Sequence, residues 1–149
     1  MLKACQGQSG CLFVAVPDVV GQWEQTLELW HRWHPVVRSF GFPVALVAQD
    51  GIAVSKVPWS EVDAVFIGGS TRFKLGNTAR TIAGYAQALG KWVHMGRVNG
   101  RKRMLYARDI GVQSVDGSSF SRFPDTVMSN ARAWLTAAPE QVPMQGELL

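Results

Sequence analysis

The segment VALVA (44–48) is an unbroken apolar run that stops at the polar cluster Gln49-Asp50-Gly51. A run without polar alternation is typical of a strand buried on both faces. Outward from it, the pattern recurs as LFVAV (12–16) before Pro17-Asp18, AVFI (64–67) before Gly68-Gly69-Ser70, WVHM (92–95) before Gly96-Arg97, and QSV (113–115) before Asp116-Gly117. Because ligands gather at the carboxyl ends of strands in parallel α/β sheets, these polar endings predict a site.

Helical periodicity fills most of the gaps between these runs. From Trp23 to Phe40, apolar residues recur at three- and four-residue steps, and Gly41 ends the pattern. The gap that contains Pro58 has room for only a brief helical turn around 60–62. Three further helices are predicted: Ala79 to Leu89 ended by Gly90, Met104 to Ile110 capped by Asn99, and Val127 to Leu135 capped by Asp125.

These alternating elements predict an α/β fold with a parallel five-stranded sheet of βα repeats in one domain, residues 1–138. An open doubly wound sheet and part of an eight-stranded barrel both fit the pattern. The chain lacks the GxGxxG motif after its first strand and the phosphate-loop motif, which disfavours a dinucleotide fold. The tail, 139–149, is predicted to be loose.

The composition is that of a soluble globular protein, with 47% apolar and 17% charged residues in 149. Cys5 and Cys11 alone support neither a disulfide framework nor a metal cluster, which favours a cytoplasmic location and no metal. Because Pro17 and Asp18 interrupt the apolar run from Leu12 to Val20, we expect no membrane segment.

The formal charge of +4 is unevenly distributed, because the basic residues are concentrated in the second half of the chain. Such a surplus favours partners that carry phosphate, although a solvated basic face that aids solubility explains it equally well. The residues assigned to a phosphate or nucleic-acid contact are Arg97, Asn99, Arg101 and Arg122.

Five strings at the strand ends carry a family resemblance: VPDVVG (16–21), VAQDG (47–51), FIGGS (66–70), HMGRVN (94–99) and SVDGSSF (114–120). In this order they resemble the C-terminal part of the tRNA-guanine (queuine/archaeosine) transglycosylase superfamily. They look closest to its short phage and actinobacterial relatives linked to 7-deazaguanine modification of DNA. The resemblance covers roughly residues 11–123 and implies a partial TIM barrel whose strands correspond to strands four to eight.

The resemblance also implies roles for individual residues. Asp116 matches the family's aspartate nucleophile, which attacks the ribose C1′, and Gly117 after it would leave room for the sugar. The implied base contacts are Asp18, Gln49, Gly68, Gly69, Met95 and Gly96. A carboxylate hydrogen-bonds the amidine edge of guanine bidentately, and glycines let a flat base approach the backbone. No cofactor is implied.

The chain departs from this family in two respects. The family's first three strands and its Cys-rich zinc site have no counterpart here. A partial barrel leaves two strand edges exposed, so we expect either copies of this chain or another chain to complete it.

Simpler structural roles compete with these assignments. Asp18 could cap the following helix, Gln49 could satisfy loop backbone, and Asp116 could be a turn residue. The glycine pair could serve only a tight turn. His94, inside a buried run, is better explained as a satisfied core histidine than as a general base.

Three functions follow from these readings. The first is a transglycosylase-like protein that binds a guanine or 7-deazaguanine base or nucleotide and exchanges bases in tRNA or DNA through Asp116. The second is a non-catalytic protein of the same ancestry that binds a nucleotide or a partner. The third is a structural subunit.

Overall fold

The computed structural model describes residues 2–7 and 9–136, and its centre is a parallel sheet. The strands follow chain order across the sheet. They are β1 (Val14–Ala15), β2 (Val44–Ala48), β3 (Ala64–Ile67), β4 (Trp92–Met95) and β5 (Ser114–Val115). This arrangement confirms the predicted α/β fold of five parallel βα units.

The sheet is curled into half of a barrel. Phe13, directly before β1, packs its ring edge-on against His94 of β4 with 5.5 Å between ring centroids. Two strands lie between β1 and β4, and at about 4.8 Å per strand a flat sheet would hold these residues roughly 14 Å apart. The contact therefore requires strong curvature, as in a partial TIM barrel.

Helices alternate with the strands and cover the convex face of the sheet. They are α1 (Trp23–Ser39), α2 (Thr71–Lys74), α3 (Asn77–Ala88), α4 (Arg101–Asp109), α5 (Ser118–Arg122) and α6 (Pro124–Thr136), with short 3₁₀ helices at Leu2–Cys5 and Val54–Lys56. The predicted ends of α1 and α3 are confirmed, because Gly41 and Gly90 follow them in left-handed conformation. The turn after Pro58 is present, and Val54–Lys56 is an unpredicted addition.

The two faces of the sheet differ in composition. Side chains that face the helices, such as Leu46, Ile67 and Met95, are almost completely buried in the main core. On the concave face, Phe66 lies between Val47 and His94 in the strand register, and the row becomes polar towards β5. One face is thus filled by the chain's own helices, whereas the other opens into a cleft.

Two predicted helix caps are wrong. Helix α4 has Gly100 as its N-cap residue and no side-chain cap. Asn99 instead accepts hydrogen bonds from the backbone N–H and the hydroxyl of Ser119, each at 3.1 Å, because the loop turns its side chain towards α5. Asp125 lies inside the first turn of α6, which already begins at Pro124. The tail 139–149 lies outside the described residues.

Candidate functional site

A cleft of about 230 Å³ lies at the carboxyl ends of the strands. Most of the predicted site residues meet there because parallel strands bring all their carboxyl ends to one edge. The lining residues are Ala15, Asp18, Val20, Val47, Gln49, Phe66, Gly68, Gly69, Lys74, Gly96, Arg97 and Asp116. Met95, one of the implied base contacts, does not line it and faces the helices instead, with 1% of its surface exposed.

Asp18 is held at the cleft by Gln49. The buried Gln49 amide donates from Nε2 to Asp18 Oδ2 at 2.6 Å, and its Oε1 accepts from the Gly21 backbone N–H at 2.9 Å. Helix α1 has Gln22 as its N-cap residue, so Asp18 does not cap it. Oδ1 of Asp18 has no hydrogen-bond partner among residues 2–7 and 9–136. Gln49 thus fixes a carboxylate that keeps one oxygen for a ligand.

Asp116 ends a chain of hydrogen bonds across β4 and β5. His94 Nε2 lies 3.0 Å from Asp116 Oδ2, and His94 Nδ1 lies 2.8 Å from Ser114 Oγ. The Trp92 indole donates to the same Ser114 oxygen at 2.8 Å. Because a carboxylate oxygen accepts, His94 Nε2 is the donor at the first contact, and His94 Nδ1 is placed to accept from the Ser114 hydroxyl. His94 is both buried and connected to the site.

The second oxygen of Asp116 is engaged by a strained residue. Oδ1 accepts from the backbone N–H of Arg97 at 2.8 Å, and Arg97 has a left-handed φ of 59°. Non-glycine residues rarely adopt this conformation unless their surroundings impose it. Arg103 imposes it from the other side, donating to the Arg97 carbonyl at 2.8 Å and to Thr71 Oγ1 at 3.0 Å. Arg103 is a site-organising residue that the sequence patterns did not single out.

Lys74, at the end of α2, is a second residue that sequence reasoning missed. It is 3% exposed, and its Nζ donates to the Gly96 carbonyl at 3.1 Å. Burial lowers the pKa of its amine from the usual 10.5, and the nearby Arg97 and Arg103 guanidiniums lower it further. The carboxylates of Asp116 and Asp50 act in the opposite direction without reversing the shift.

Asp50 stabilises the N-terminus of α2. Its Oδ2 accepts from the Ser70 N–H at 2.7 Å, and its Oδ1 accepts from the Ser70 hydroxyl. Burial raises the pKa of this carboxyl, but the bonds from Ser70 and the charge of Lys74 outweigh that effect and hold it below 3.8. Ser70 in turn caps α2 by accepting from the Phe73 N–H. Asp50 therefore orders the start of the short helix that carries Lys74.

Three glycines of the site are explained by close packing. A Cβ on Gly96 would lie 2.6 Å from Phe66 Cε1, and one on Gly68 would lie 2.7 Å from Val47 Cγ1. Gly117 adjoins the Val98 carbonyl, where a Cβ would lie 2.8 Å from the oxygen. Gly117 thus accommodates the neighbouring loop, because a side chain there would meet its backbone.

The residues assigned to phosphate contact are dispersed. Arg97 lines the cleft, whereas Asn99 and Arg101 line a neighbouring depression together with Lys102 and Arg103. Arg122 is exposed on α5. Within the described part of the chain, no group of three or more His, Cys, Asp or Glu side chains is placed to hold a metal ion.

No family model matches this chain, and no curated protein or solved structure is significantly similar to it. The fold and the cleft geometry are therefore the basis for assigning a function. Across residues 2–7 and 9–136, no helix combines the length and the apolar character needed to cross a bilayer.

Proposed function

We propose that the cleft binds a guanine or 7-deazaguanine base, or its nucleotide, and that Asp116 exchanges the base in a nucleic acid. The observation that carries this proposal is the convergence of Asp18 and Asp116 on one cleft with Gly68 in its wall. The available oxygen of Asp18 suits an N–H donor of an amidine edge. Phe66 offers an apolar surface to a planar ring.

Asp116 has the chemistry required for base exchange. A carboxylate oxygen attacks C1′ of the sugar, the C1′–N bond breaks, and its electron pair leaves with the base. The incoming base then attacks C1′ and releases the carboxylate. The bonds from His94 and the Arg97 backbone hold the carboxylate in one orientation, and each oxygen retains a second lone pair for the attack.

A non-catalytic nucleotide-binding protein is the second candidate. Both Asp116 oxygens already accept hydrogen bonds from the protein itself, and one of them holds the strained backbone of Arg97. That arrangement favours a structural role for Asp116, and in this candidate Asp18 alone recognises the ligand. The two candidates differ in whether base exchange occurs at all.

Both candidates involve a partner at the open side of the half-barrel. The edge strands β1 and β5 pair on one side only among the described residues. Unpaired parallel edges invite strand addition from another chain. We propose that a second copy or a partner chain completes the barrel, which sedimentation velocity of the purified protein tests directly.

Two variants test the site. Asp18→Ala removes a charge-assisted contact of about 1.5–3 kcal/mol, so guanine affinity measured by calorimetry should fall roughly tenfold to a hundredfold. Asp116→Asn should retain guanine binding but lose incorporation of labelled guanine into tRNA or DNA, since an amide cannot form the glycosyl ester. Asp63→Asn, at the opposite end of the sheet, is the matched control.

The outcomes separate the candidates. Binding without incorporation by the wild type, alone and with any co-purifying chain, would favour the non-catalytic protein. A wild type that binds neither guanine nor 7-deazaguanine nor their nucleotides would refute both.

A further inference from the structure

Lys74 differs from the other lysines of the chain in its surroundings. Lys3, Lys56 and Lys102 are exposed and Lys91 is half-buried, whereas Lys74 is enclosed in the wall of the cleft. An ammonium group has three N–H donors, and only the bond to the Gly96 carbonyl engages the described residues. Because a buried charge needs partners, this environment shifts the balance towards the neutral amine relative to an exposed lysine.

The charges around Lys74 reinforce this preference. Arg97 and Arg103 face it from the β4–α4 loop and from α4, and both repel a second positive charge. Asp50 and Asp116 face it from the ends of β2 and β5 and attract such a charge. These carboxylates already accept bonds from Ser70, His94 and the Arg97 backbone. A desolvated lysine beside other cations is a recognised form of activated amine nucleophile.

We propose that Lys74 is a nucleophilic amine that forms an imine with the aldehyde of an open-chain aldose bound in the cleft. The Nζ lone pair attacks the carbonyl carbon, a C–N bond forms as the carbonyl π bond breaks, and the oxygen takes up one of the two amine protons. Asp116 accepts the second proton from the nitrogen and passes it to the hydroxyl, which leaves as water while the nitrogen lone pair forms the C=N bond. The balance is one amine plus one aldehyde giving one imine plus one water.

The aldehyde has two sources with the same chemistry. A free pentose phosphate exposes it on ring opening, and so does a nucleotide of a DNA strand that has lost its base. The basic side chains of Arg97 and Arg103 beside the cleft suit the phosphate in either case. This inference uses the cleft of the proposed function but does not require guanine recognition or attack by Asp116 on C1′.

Reductive trapping tests the proposal. The full chain is incubated with ribose 5-phosphate, or with a single-stranded oligonucleotide bearing one abasic site, and treated with borohydride to convert an imine into a stable amine. We expect an adduct by intact mass, located on Lys74 by peptide mapping. The yield should fall at least tenfold in Lys74→Met and remain unchanged in Lys91→Met.

Lys74→Arg separates covalent chemistry from electrostatic attraction, because it places a permanent positive charge there without a comparable nucleophilic lone pair. It should trap as little as Lys74→Met. If both variants fail to fold, as judged by circular dichroism, peptide mapping of the wild type decides alone. Equal labelling of Lys74 and the exposed lysines would overturn the proposal, and so would full trapping in folded Lys74→Met.

The comparison of the two sugar probes identifies the source of the aldehyde. Calorimetry with guanine on the same samples reports on base recognition separately. A protein that traps the sugar at Lys74 but does not bind guanine would retain this inference and lose the proposed function. The reverse result would lose this inference alone.

Discussion

The glycines at the two ends of the sheet are needed for different reasons. At the amino end, Gly41 follows α1 with a φ of 83°, and nothing lies within 4 Å of where its Cβ would be. At the carboxyl end, Gly96 has no left-handed φ, but a Cβ there would collide with the Phe66 ring. The first glycine serves the backbone and the second provides space for a residue that lines the cleft.

The carboxylates at the two ends of the sheet also differ in their surroundings. Asp63, before β3, accepts from the Val44 N–H at 2.8 Å and from the Arg38 guanidinium at 2.9 Å. Asp116, after β5, is held by a histidine and a strained backbone, and it faces an open cleft. The amino end completes its own interactions, whereas the carboxyl end retains charged groups that a ligand can reach.

The largest expected effect on stability lies towards the amino end. Trp30 is fully buried, and its indole donates to Glu61 at 3.1 Å. Trp30→Ala should lower the free energy of unfolding by about 3–5 kcal/mol in urea titrations. Guanine affinity of the folded fraction should be unchanged, because the side chain is remote from the cleft. A parallel loss of affinity would show that the two ends are coupled.

Gly96→Ala tests the opposite end. A methyl group 2.6 Å from Phe66 forces that ring to move, which should cost about 1–3 kcal/mol in unfolding free energy. Ligand affinity should fall as well, because Phe66 and the Gly96 carbonyl shape the cleft. A stable variant with wild-type affinity would mean that the packing around Gly96 does not define the site.

Gly41→Ala is the matched substitution at the amino end. Its Cβ meets open space, so only the left-handed backbone resists it, at about 1 kcal/mol. Thermal melting should detect this small loss, and calorimetry should show unaltered ligand binding. A loss of stability as large as that caused by Gly96→Ala would show that the two glycines are not needed for different reasons.

The smallest effect concerns acid stability at the carboxyl end. The pKa of Asp50 lies below 3.8 in the folded protein, so the unfolded chain binds a proton more readily. Its contribution to stability is therefore present above about pH 4 and is lost as the pH falls through the folded pKa. In melting curves between pH 5 and 3, Asp50→Asn should flatten this decline. Ser70→Ala, which removes one of the bonds to Asp50, should flatten it partly, and an unchanged slope in both would contradict the assignment.

The sequence was sufficient to predict the strands and the edge where Asp18, Gln49 and Asp116 meet. Unbroken apolar runs mark buried strands, and a parallel sheet brings their ends together. The same runs do not show which residues face the cleft, because polar alternation is absent, and Phe66 was therefore overlooked. Met95 was placed at the cleft by the family resemblance alone, and its side chain lies in the main core instead. Lys74 was also missed as a site residue. It lies in a four-residue helix, which is too short for its sequence pattern to show which side chains face the cleft.

The strand order also has a consequence for how the chain folds. Each strand pairs with the one before it in sequence, with four residue pairs in each central ladder but two at either edge. Such sequential closure keeps loop entropy low, and the strongest ladders form first. We expect refolding to start at β2–β4 and spread outward, so pulse-labelled amides of β3 should gain protection before those of β1 and β5. Simultaneous protection would indicate a single concerted barrier instead.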